Sequence, residues 1–439
     1  MYHRNSNLRK NIMRTAVIKA IGMGCSLLIV PVTLHYLDNE EYGVWMTMSS
    51  ILMWFSFFDI GLGNGLRNYL TGAVSKNNMA LGRTYIATAF TLLSVMALLF
   101  LVIMMVPIRL LDMAWVFNTH HVDSLMLRDI TLIAVVFTLA NFVVKNIGYV
   151  FVALQQYAVN EGLYVLSNLL SLIIIFVLTR VTAHGHLPYV VMVFTATPVI
   201  VFSAAAIPLF LRHPELYPSF RDIDITYSRQ LVGKGLGFFL IQISSALVIY
   251  GSSNLFIAQY GTPSDVTVYN IAYKFFNLLS VAYTIVISPM WSAYTDAYVR
   301  GDMLWIRRTF RKAQLFWILS LGGGILMLML SALVYRIWVG TGIVIPMTVS
   351  ASVLCYILLF NFNNCVTYLL NGLNKIKIQI ITSAIATLLY LALVFTVGKR
   401  WGIVGVSLSM SASYLLLSLV HLYQCRLIIS GRARGIWNE

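Results

Sequence analysis

Long apolar stretches separated by short polar segments run along the whole chain. An apolar stretch of about 20 residues spans a bilayer as a helix, so each stretch predicts one transmembrane helix. The alternating pattern of membrane β-strands does not occur, which leaves helices as the spanning structure. The pattern predicts an all-α membrane protein with twelve spans, at residues 13–36, 43–66, 84–107, 129–153, 161–182, 189–211, 235–258, 267–292, 313–335, 347–370, 379–397 and 403–425.

Composition excludes a soluble domain. Hydrophobic residues make up 59% of the 439 residues and charged residues 10%, and the mean hydropathy is +0.82. A water-exposed surface on a chain of this length would carry far more charge. The leader MYHRNSNLRKNIMR is basic, but the apolar run after it is too long for a signal core and no small-x-small cleavage site follows. The first span is therefore predicted to be retained.

Lysine and arginine are distributed unevenly between the two sides of the predicted spans. With the amino terminus inside, the inner segments carry 21 of the 30 basic residues, the outer segments carry six, and three lie within spans. Cytoplasmic loops are enriched in Lys and Arg, which predicts that both termini are cytoplasmic. Nucleic-acid binding would also explain the net charge of +15, but it needs a compact basic patch, so no nucleic-acid partner is expected.

Charged residues within the spans are the candidate functional residues. Lys19, Lys145 and Lys274 fall in spans 1, 4 and 8, where each charge costs about 2.5 to 3.5 kcal/mol. Lys19 lies near enough to the inner surface to reach it by snorkelling, whereas the other two lie deeper and predict a wet interior. Asp59 in span 2 and Glu161 at the edge of span 5 are the candidates for coupling to H⁺ or Na⁺. No other cofactor is expected.

The stretch FFDIGLGNGLRN (57–68) places charge at the inner end of span 2. On one continuous helix Asp59, Gly63 and Arg67 would share a face. Because spans 1 and 2 are antiparallel, Asp59 and Lys19 should reach similar depth, and an ion pair between them is one hypothesis. The predicted substrate-binding residues are cations and amides of spans 1, 2, 4 and 8: Lys19, Asn64, Arg67, Asn68, Lys145, Asn270 and Lys274.

Two blocks resemble a known family. SLLIVPVTLHYLDNEEYGVW (26–45), followed by the D-x-G-x-G-N-G-x-R-N run of 59–68, resembles the opening of the Wzx-type polysaccharide-export flippases of the MOP superfamily. Residues 235–276 look like the start of that family's second half. The resemblance implies two six-helix lobes around a central cavity, and movement of a lipid-linked glycan from the cytoplasmic to the outer leaflet of the bacterial inner membrane.

Two internal segments support a repeat independently of the resemblance. LHYLDNEEYGVW (34–45) and AQYGTPSDVTVY (258–269) each end one helix, turn through an acidic loop and begin another. Six spans per half predict a parallel pseudo-repeat. The expected domains are a lobe at 1–211, a cytoplasmic linker at 212–234 and a lobe at 235–439.

The predicted mechanism is alternating access. A cationic cavity would attract the diphosphate of a polyprenyl-diphosphate-linked oligosaccharide while the two lobes rock. Expected partners are that lipid-linked oligosaccharide, membrane lipids and other polysaccharide-assembly enzymes. The loop 298–314, which interleaves cations with apolar residues, is predicted to lie flat on the inner leaflet, with recruitment of substrate as the alternative.

Two other functions stay open. A MATE-like cation antiporter would need carboxylates in its cavity, and here the buried cations outnumber the buried acids. A glycan polymerase or ligase would need a large outer loop, whereas the longest one, at 108–128, is short. That loop contains His120, His121 and Asp123 without a nucleophile or a metal-ligand spacing. The chain is therefore predicted not to be an enzyme.

Overall fold

The computed structural model describes residues 2–59, 62–182, 185–228 and 249–438, apart from the side chains of residues 2–16, 57, 64 and 292. All regular structure in these ranges is helical, as predicted. The chain divides into two compact units, Met1–Phe239 and Leu240–Glu439. Residues 229–248 lie outside the described ranges, so the predicted boundaries of the linker at 212–234 stay a prediction.

The first unit contains nine described α-helices. Its longest helices carry continuous apolar sequence, and two shorter pairs, α2 with α3 and α6 with α7, divide single predicted spans. The helices are α1 (Tyr2–Tyr36), α2 (Asn39–Met53), α3 (Leu62–Ser75), α4 (Met79–Leu110), α5 (Met113–Phe117), α6 (Ser124–Val144), α7 (Ile147–Ala153), α8 (Tyr157–Val181) and α9 (Leu187–Arg212).

Side-chain caps fix where several of these helices begin. Asp38 Oδ1 accepts the backbone N–H of Glu41 at 2.7 Å, and Asn78 Oδ1 accepts that of Leu81 at 3.0 Å. Asp123 caps α6 in the same way. A helix start leaves backbone N–H groups without partners, and Asp and Asn are the side chains best suited to accept them.

The second unit contains six described α-helices. They are α10 (Ser253–Tyr260), α11 (Pro263–Val299), α12 (Met303–Trp338), α13 (Met347–Gly372), α14 (Lys377–Leu393) and α15 (Lys399–Ile429). Thr262 and Asp265 cap each other across the first turn of α11. A π-helical turn at Val394–Gly398 joins α14 to α15, and Gly402 bends the start of α15 with φ +53°. A glycine tolerates this left-handed backbone without steric cost.

Nine segments of the described chain are long and apolar enough to cross a membrane. The twelve predicted spans differ from them for three reasons. Span 2 is broken between α2 and α3, span 7 begins outside the described residues, and spans 11 and 12 run on as one helical segment, Lys377–Ile429. The prediction of a multi-span, all-helical membrane protein is confirmed, and the count of twelve stays a prediction.

Helix packing within each unit is local. In the first unit α1 packs against α8, and α6 against α9. In the second unit α13 lies at the centre and contacts α11, α12 and α15. Tyr283 and Tyr294 of α11 and Leu369 of α13 are nearly fully buried in this core.

The segment 298–314 does not form a separate surface helix, and its position on the inner leaflet stays a prediction. Leu304 and Trp305 are 67% and 38% exposed. α11 ends at Val299, and α12 begins at Met303 and continues as one helix into apolar sequence. Ile306 and Phe310 are only 0% and 4% exposed and pack into the core. These apolar side chains bind protein rather than lipid, while the cations between them face outward.

Candidate functional site

The second predicted span is not one uniform α-helix. A 3₁₀ helix, Trp54–Asp59, follows α2, and α3 begins at Leu62. Asp59 Oδ1 accepts the backbone N–H of Gly63 at 3.1 Å, so this carboxylate caps the new helix. Residues 60 and 61 lie outside the described residues, so the shared helix face of Asp59, Gly63 and Arg67 stays a prediction. Capping gives Asp59 a structural role that the sequence did not indicate.

Gly63 lets α3 approach α7 closely. A Cβ atom built on Gly63 would lie 2.1 Å from Cε2 of Tyr149, which no real pair of carbon atoms tolerates. Tyr149 in turn interacts electrostatically with Asp59 and Arg67. Sequence reasoning missed Tyr149. The polar interruption K-N-I-G-Y at 145–149, inside an otherwise apolar stretch, was the available signal.

Lys145 lies at the break between α6 and α7. It is half-buried, and its Nζ lies 5.5 Å from the centroid of the Phe142 ring. It interacts electrostatically with Asp59 from beyond ion-pair contact distance. Asn146 is fully buried and donates to the Phe142 carbonyl at 2.8 Å. The Oδ1 atoms of Asn141 and Asn146 are buried and accept no hydrogen bond from any described residue, so this segment offers unused acceptors beside a cation.

The predicted Lys19–Asp59 ion pair is not formed. Lys19 Nζ lies 3.7 Å from Glu161 Oε2, which joins α1 to α8. The two side chains are 63% and 36% exposed. Both candidate carboxylates therefore have a cationic neighbour, because Asp59 lies near Lys145 and Glu161 pairs with Lys19.

Arg67 and Asn68 follow on α3. Arg67 is half-buried, and its Nε donates to Asn68 Oδ1 at 3.3 Å. Arg67 forms no ion pair with a described residue. The side chain of Asn64, the third polar residue predicted here, lies outside the described residues. Lys19 and Lys145 each lie near a carboxylate, whereas Arg67 does not pair with any carboxylate of the described chain.

The second unit brings together the predicted residues Asn270 and Lys274. Asn270 Nδ2 donates to Asn254 Oδ1 at 3.0 Å and to the Val266 carbonyl at 2.8 Å, and both asparagines are buried. Lys274 is half-buried one turn further along α11, on the same helix face as Asn270. Asn270 and Lys274 therefore share one face of α11, and Asn254 of α10 pairs with Asn270 there.

Tyrosines accumulate beside this face. The ring of Tyr273 lies 5.3 Å from Tyr250, 6.0 Å from Tyr269 and 6.4 Å from Tyr356. Tyr356 also lies 5.6 Å from Tyr414. We call this set the tyrosine cluster: Tyr250, Tyr269, Tyr273, Tyr356 and Tyr414. Tyr269, Tyr356 and Tyr414 are at most 3% exposed, so Tyr250 and Tyr273, which are half-buried, are the members of the cluster with surface to offer a ligand. A tyrosine combines an apolar ring face with a hydrogen-bonding hydroxyl.

A buried histidine network joins three helices of the second unit. The ring of His421 in α15 lies 2.9 Å from Thr382 Oγ1 of α14 and 3.1 Å from Asn363 Oδ1 of α13. His421 is 2% exposed. Sequence reasoning missed this contact. A single histidine within the apolar stretch 403–425 was the signal, but nothing in the sequence indicated its partners.

The histidines of the segment 108–128 do not form a metal site. His121 Nε2 lies 3.2 Å from Glu40 Oε2, and the Thr119 hydroxyl donates to the same carboxylate. Asp123 is occupied as the cap of α6. In the parts of the chain that the structure describes, no three His, Cys, Asp or Glu side chains are placed to hold a metal ion.

Glu41 follows Glu40, the residue that contacts His121. Burial and the nearby Asp38 carboxylate raise the pKa of Glu41 to about 6.

Comparisons with known sequences match the chain to one family and to two curated relatives. The family model described as "Polysaccharide biosynthesis protein" matches residues 8–294. A "Putative O-antigen transporter" of Salmonella typhi is 25% identical over 423 residues, which cover 91% of each chain. A protein of the same name from Salmonella typhimurium (strain LT2) is 23% identical over 284 residues, which cover 64% of each chain.

Comparisons with solved structures identify the fold. An inward-facing structure of a multidrug resistance MATE family transporter of the MOP superfamily has a TM-score of 0.79 at 13% identity, over 95% of this chain and 98% of the other. A MOP superfamily transporter from Pyrococcus furiosus, reported with a binding pocket of reverse polarity, has a TM-score of 0.62 at 15% identity, over 97% of both chains. The fold is that of MATE transporters.

Proposed function

The chain belongs to the polysaccharide biosynthesis protein family, and we propose that it moves a polyprenyl-diphosphate-linked oligosaccharide across the bacterial inner membrane, from the cytoplasmic to the outer leaflet. Two relatives carry the name of O-antigen transporter, and one of them aligns over 91% of both chains. The substrate of this chain would accordingly be a glycan on a lipid carrier. Both termini would lie in the cytoplasm.

The observation that carries the proposal is a lysine, an amide pair and the tyrosine cluster on apolar helices of the second unit. Lys274 supplies positive charge, and Asn254 and Asn270 supply a buried amide pair next to it. Holding polar groups within apolar helices is expensive, so such groups are usually retained for a ligand or an ion path. A diphosphate would match the charge of Lys274, and a sugar would contact Tyr250 and Tyr273, the half-buried members of the tyrosine cluster.

The first unit contributes less positive charge than the sequence suggested. Lys19 pairs with Glu161, and Asp59 lies near Lys145, so neither lysine offers its full charge to a substrate. We assign the diphosphate first to Lys274, which lies one helical turn from the buried amide pair of the second unit. Arg67 and Lys145 are the candidate cations of the first unit. Asn68, which is exposed, would serve sugar hydroxyls, whereas the amide oxygens of Asn141 and Asn146 are buried.

The closeness of Glu161 and Asp59 to lysines argues against a MATE-like cation antiporter. A cavity for cationic drugs needs carboxylates available to them. Here Glu161 lies against Lys19, and Asp59 caps α3 near Lys145. Coupling to H⁺ or Na⁺ through Asp59 or Glu161 stays a prediction, and so does the cavity between two lobes.

Transport by purified protein in proteoliposomes tests the proposal. The assay measures how much lipid-linked oligosaccharide becomes accessible to an external glycosidase. We expect Lys274→Gln to lower the rate about tenfold or more, since a hydrogen bond to a charged group contributes about 1.5 to 3 kcal/mol. Lys274→Arg should keep most of the activity, and Lys312→Gln, an exposed lysine of α12, serves as the control.

Two outcomes would overturn the proposal. The first is wild-type transport by both Lys274→Gln and the double variant Lys145→Gln/Arg67→Gln, which would leave the diphosphate without its proposed partners. The second is efficient export of a cationic dye with no movement of the glycan lipid, which would favour the antiporter.

A further inference from the structure

A cationic groove lies between the start of α12 and the end of α15. It has a volume of about 400 Å³, and three arginines line it, Arg307 and Arg311 from α12 and Arg426 from α15. Gln314 and Ser430 also line it, and Leu422 contributes to its apolar floor. The groove belongs to the second unit alone and contains none of the residues assigned to the glycan substrate.

The three arginines are exposed, and their charges are not neutralised locally. None of them forms an ion pair with a carboxylate of the described chain. The nearby Asp296 is occupied by Arg300 at 3.0 Å, and Asp302 caps α12 through the backbone N–H of Trp305. No acidic residue lines the groove. Three like charges held around one concave surface repel each other unless an anion lies between them.

The groove lies where α12 passes from polar to apolar sequence. α12 has 36 residues and is therefore about 54 Å long, more than a bilayer's hydrocarbon core of about 30 Å. Arg307 and Arg311 lie in its first turns, and the apolar run begins at Ala313. This position predicts that the guanidinium groups lie at the level of lipid headgroups and that Leu422 lies on the side of the acyl chains.

We propose that this groove binds the phosphate group of an anionic phospholipid from the adjacent leaflet. Arg307 and Arg311 are one helical turn apart, so both guanidinium groups reach one phosphate. Arg426 contacts the same phosphate from α15. The planar guanidinium group matches phosphate oxygens with two parallel hydrogen bonds. Basic pockets between membrane helices are suited to such headgroups. The bound lipid joins α12 to α15.

A pair of double variants on α12 provides a matched test. Arg307→Gln/Arg311→Gln removes two charges that line the groove. Arg308→Gln/Lys312→Gln removes two charges one position along the same exposed helix, which point about 100° away from the groove. Net charge and helix propensity change almost equally in the two variants, so only the position of the charge differs.

Native mass spectrometry of the full chain in detergent measures how much lipid the protein retains. We expect the wild type to retain one phosphatidylglycerol in preference to phosphatidylcholine. Each arginine near a membrane surface contributes about 1 kcal/mol, so Arg307→Gln/Arg311→Gln should weaken retention roughly 25-fold. Arg426→Gln, on the other helix, should weaken it roughly fivefold, whereas Arg308→Gln/Lys312→Gln should retain lipid like the wild type.

Several results would overturn the proposal of a phospholipid site in this groove. Equal loss in the two double variants would mean diffuse attraction to a basic surface. Displacement of the lipid by inorganic phosphate would mean a free-anion site. Binding of a polyprenyl diphosphate to the exclusion of phosphatidylglycerol would assign the groove to the carrier lipid. None of these measurements depends on transport, so the proposed function can fail without affecting them.

Discussion

Lys19 of α1 and Glu161 of α8 form an ion pair, with Nζ 3.7 Å from Oε2. Hydropathy places Lys19 and Asp59 at similar depth, but depth does not say which side of a helix a residue occupies. Because α1 packs along α8, Lys19 points toward Glu161 instead. The pair neutralises one of the three cations on which a strongly positive interior depends.

Charge reversal tests whether this pair is structural. Lys19→Glu places two carboxylates together and should lower the free energy of unfolding by up to about 1 kcal/mol, since both side chains are substantially exposed. Lys19→Glu/Glu161→Lys restores opposite charges, so its melting temperature and its transport rate should return to those of the wild type. A double variant that regains stability but not transport would show that Lys19 itself contacts the substrate.

Two substitutions of Asp59 separate capping from ion coupling. Asp59→Ala removes the acceptor for the Gly63 N–H and should destabilise the protein by about 1 kcal/mol. Asp59→Asn keeps a good cap without the charge, so we expect wild-type stability and transport. The measurement is thermal unfolding together with glycan transport with and without an imposed proton or sodium gradient. If Asp59→Asn transports but no longer responds to the gradient, Asp59 is a coupling residue.

Two glycines of α3 make a matched pair. Gly63→Ala places a methyl group against the Tyr149 ring and should cost about 1 to 3 kcal/mol, because α3 and α7 must separate. Gly72→Ala, on the same helix, has no atom within 4 Å of the new Cβ and should stabilise by up to about 1 kcal/mol.

Removing the ring should relieve the clash at Gly63. Gly63→Ala/Tyr149→Ala is expected to be less destabilised than the sum of the two single variants, as measured by a double-mutant cycle on melting temperature. Strict additivity would show that Gly63 and Tyr149 are not in contact.

Glu41 should make stability fall as pH rises through weakly acidic values. Burial, and secondarily the Asp38 carboxylate, raises the pKa of Glu41 from 4.5 to about 6 in the folded protein. The folded state therefore binds this proton more tightly than the unfolded state, and the resulting stability is lost between pH 4.5 and about 6.

Glu41→Gln should remove that dependence. Above about pH 6 the variant should be more stable than the wild type by at most about 1 kcal/mol, since Glu41 is only half-buried and water screens it. At about pH 4 the melting temperatures should coincide, which is the internal control. A constant difference across the whole range would assign the effect to packing rather than to the proton.

The sequence was sufficient for features that depend on local composition. The apolar stretches identified a membrane protein and predicted most of its helices, because a backbone in hydrocarbon must be helical over the thickness of the bilayer. The Asp59 cap on Gly63 and the approach of Tyr149 to α3 were not predictable in this way. Tyr149 lies far along the chain, and neither contact changes the hydropathy of residues 43–66.

The candidate site was predictable only in part. Asn270 and Lys274 could be paired from the sequence because one helical turn separates them. Lys145 could be found as a charge within an apolar stretch, but its proximity to Asp59 depends on how α6, α7 and α3 pack. The ring of Tyr273 in α11 contacts Tyr250, which precedes α10, and Tyr356 of α13, and no local pattern encodes these contacts.

The start of α3 within apolar sequence has a consequence for how acyl chains are arranged around the first unit. A new helix start presents backbone N–H groups that need acceptors, and Asp59 supplies only one carboxylate. Acyl chains supply none, so backbone groups without partners at this depth are tolerated only against protein or water. The edge of the unit that carries Trp54–Asp59 and the beginning of α3 must therefore be shielded from the surrounding lipid tails.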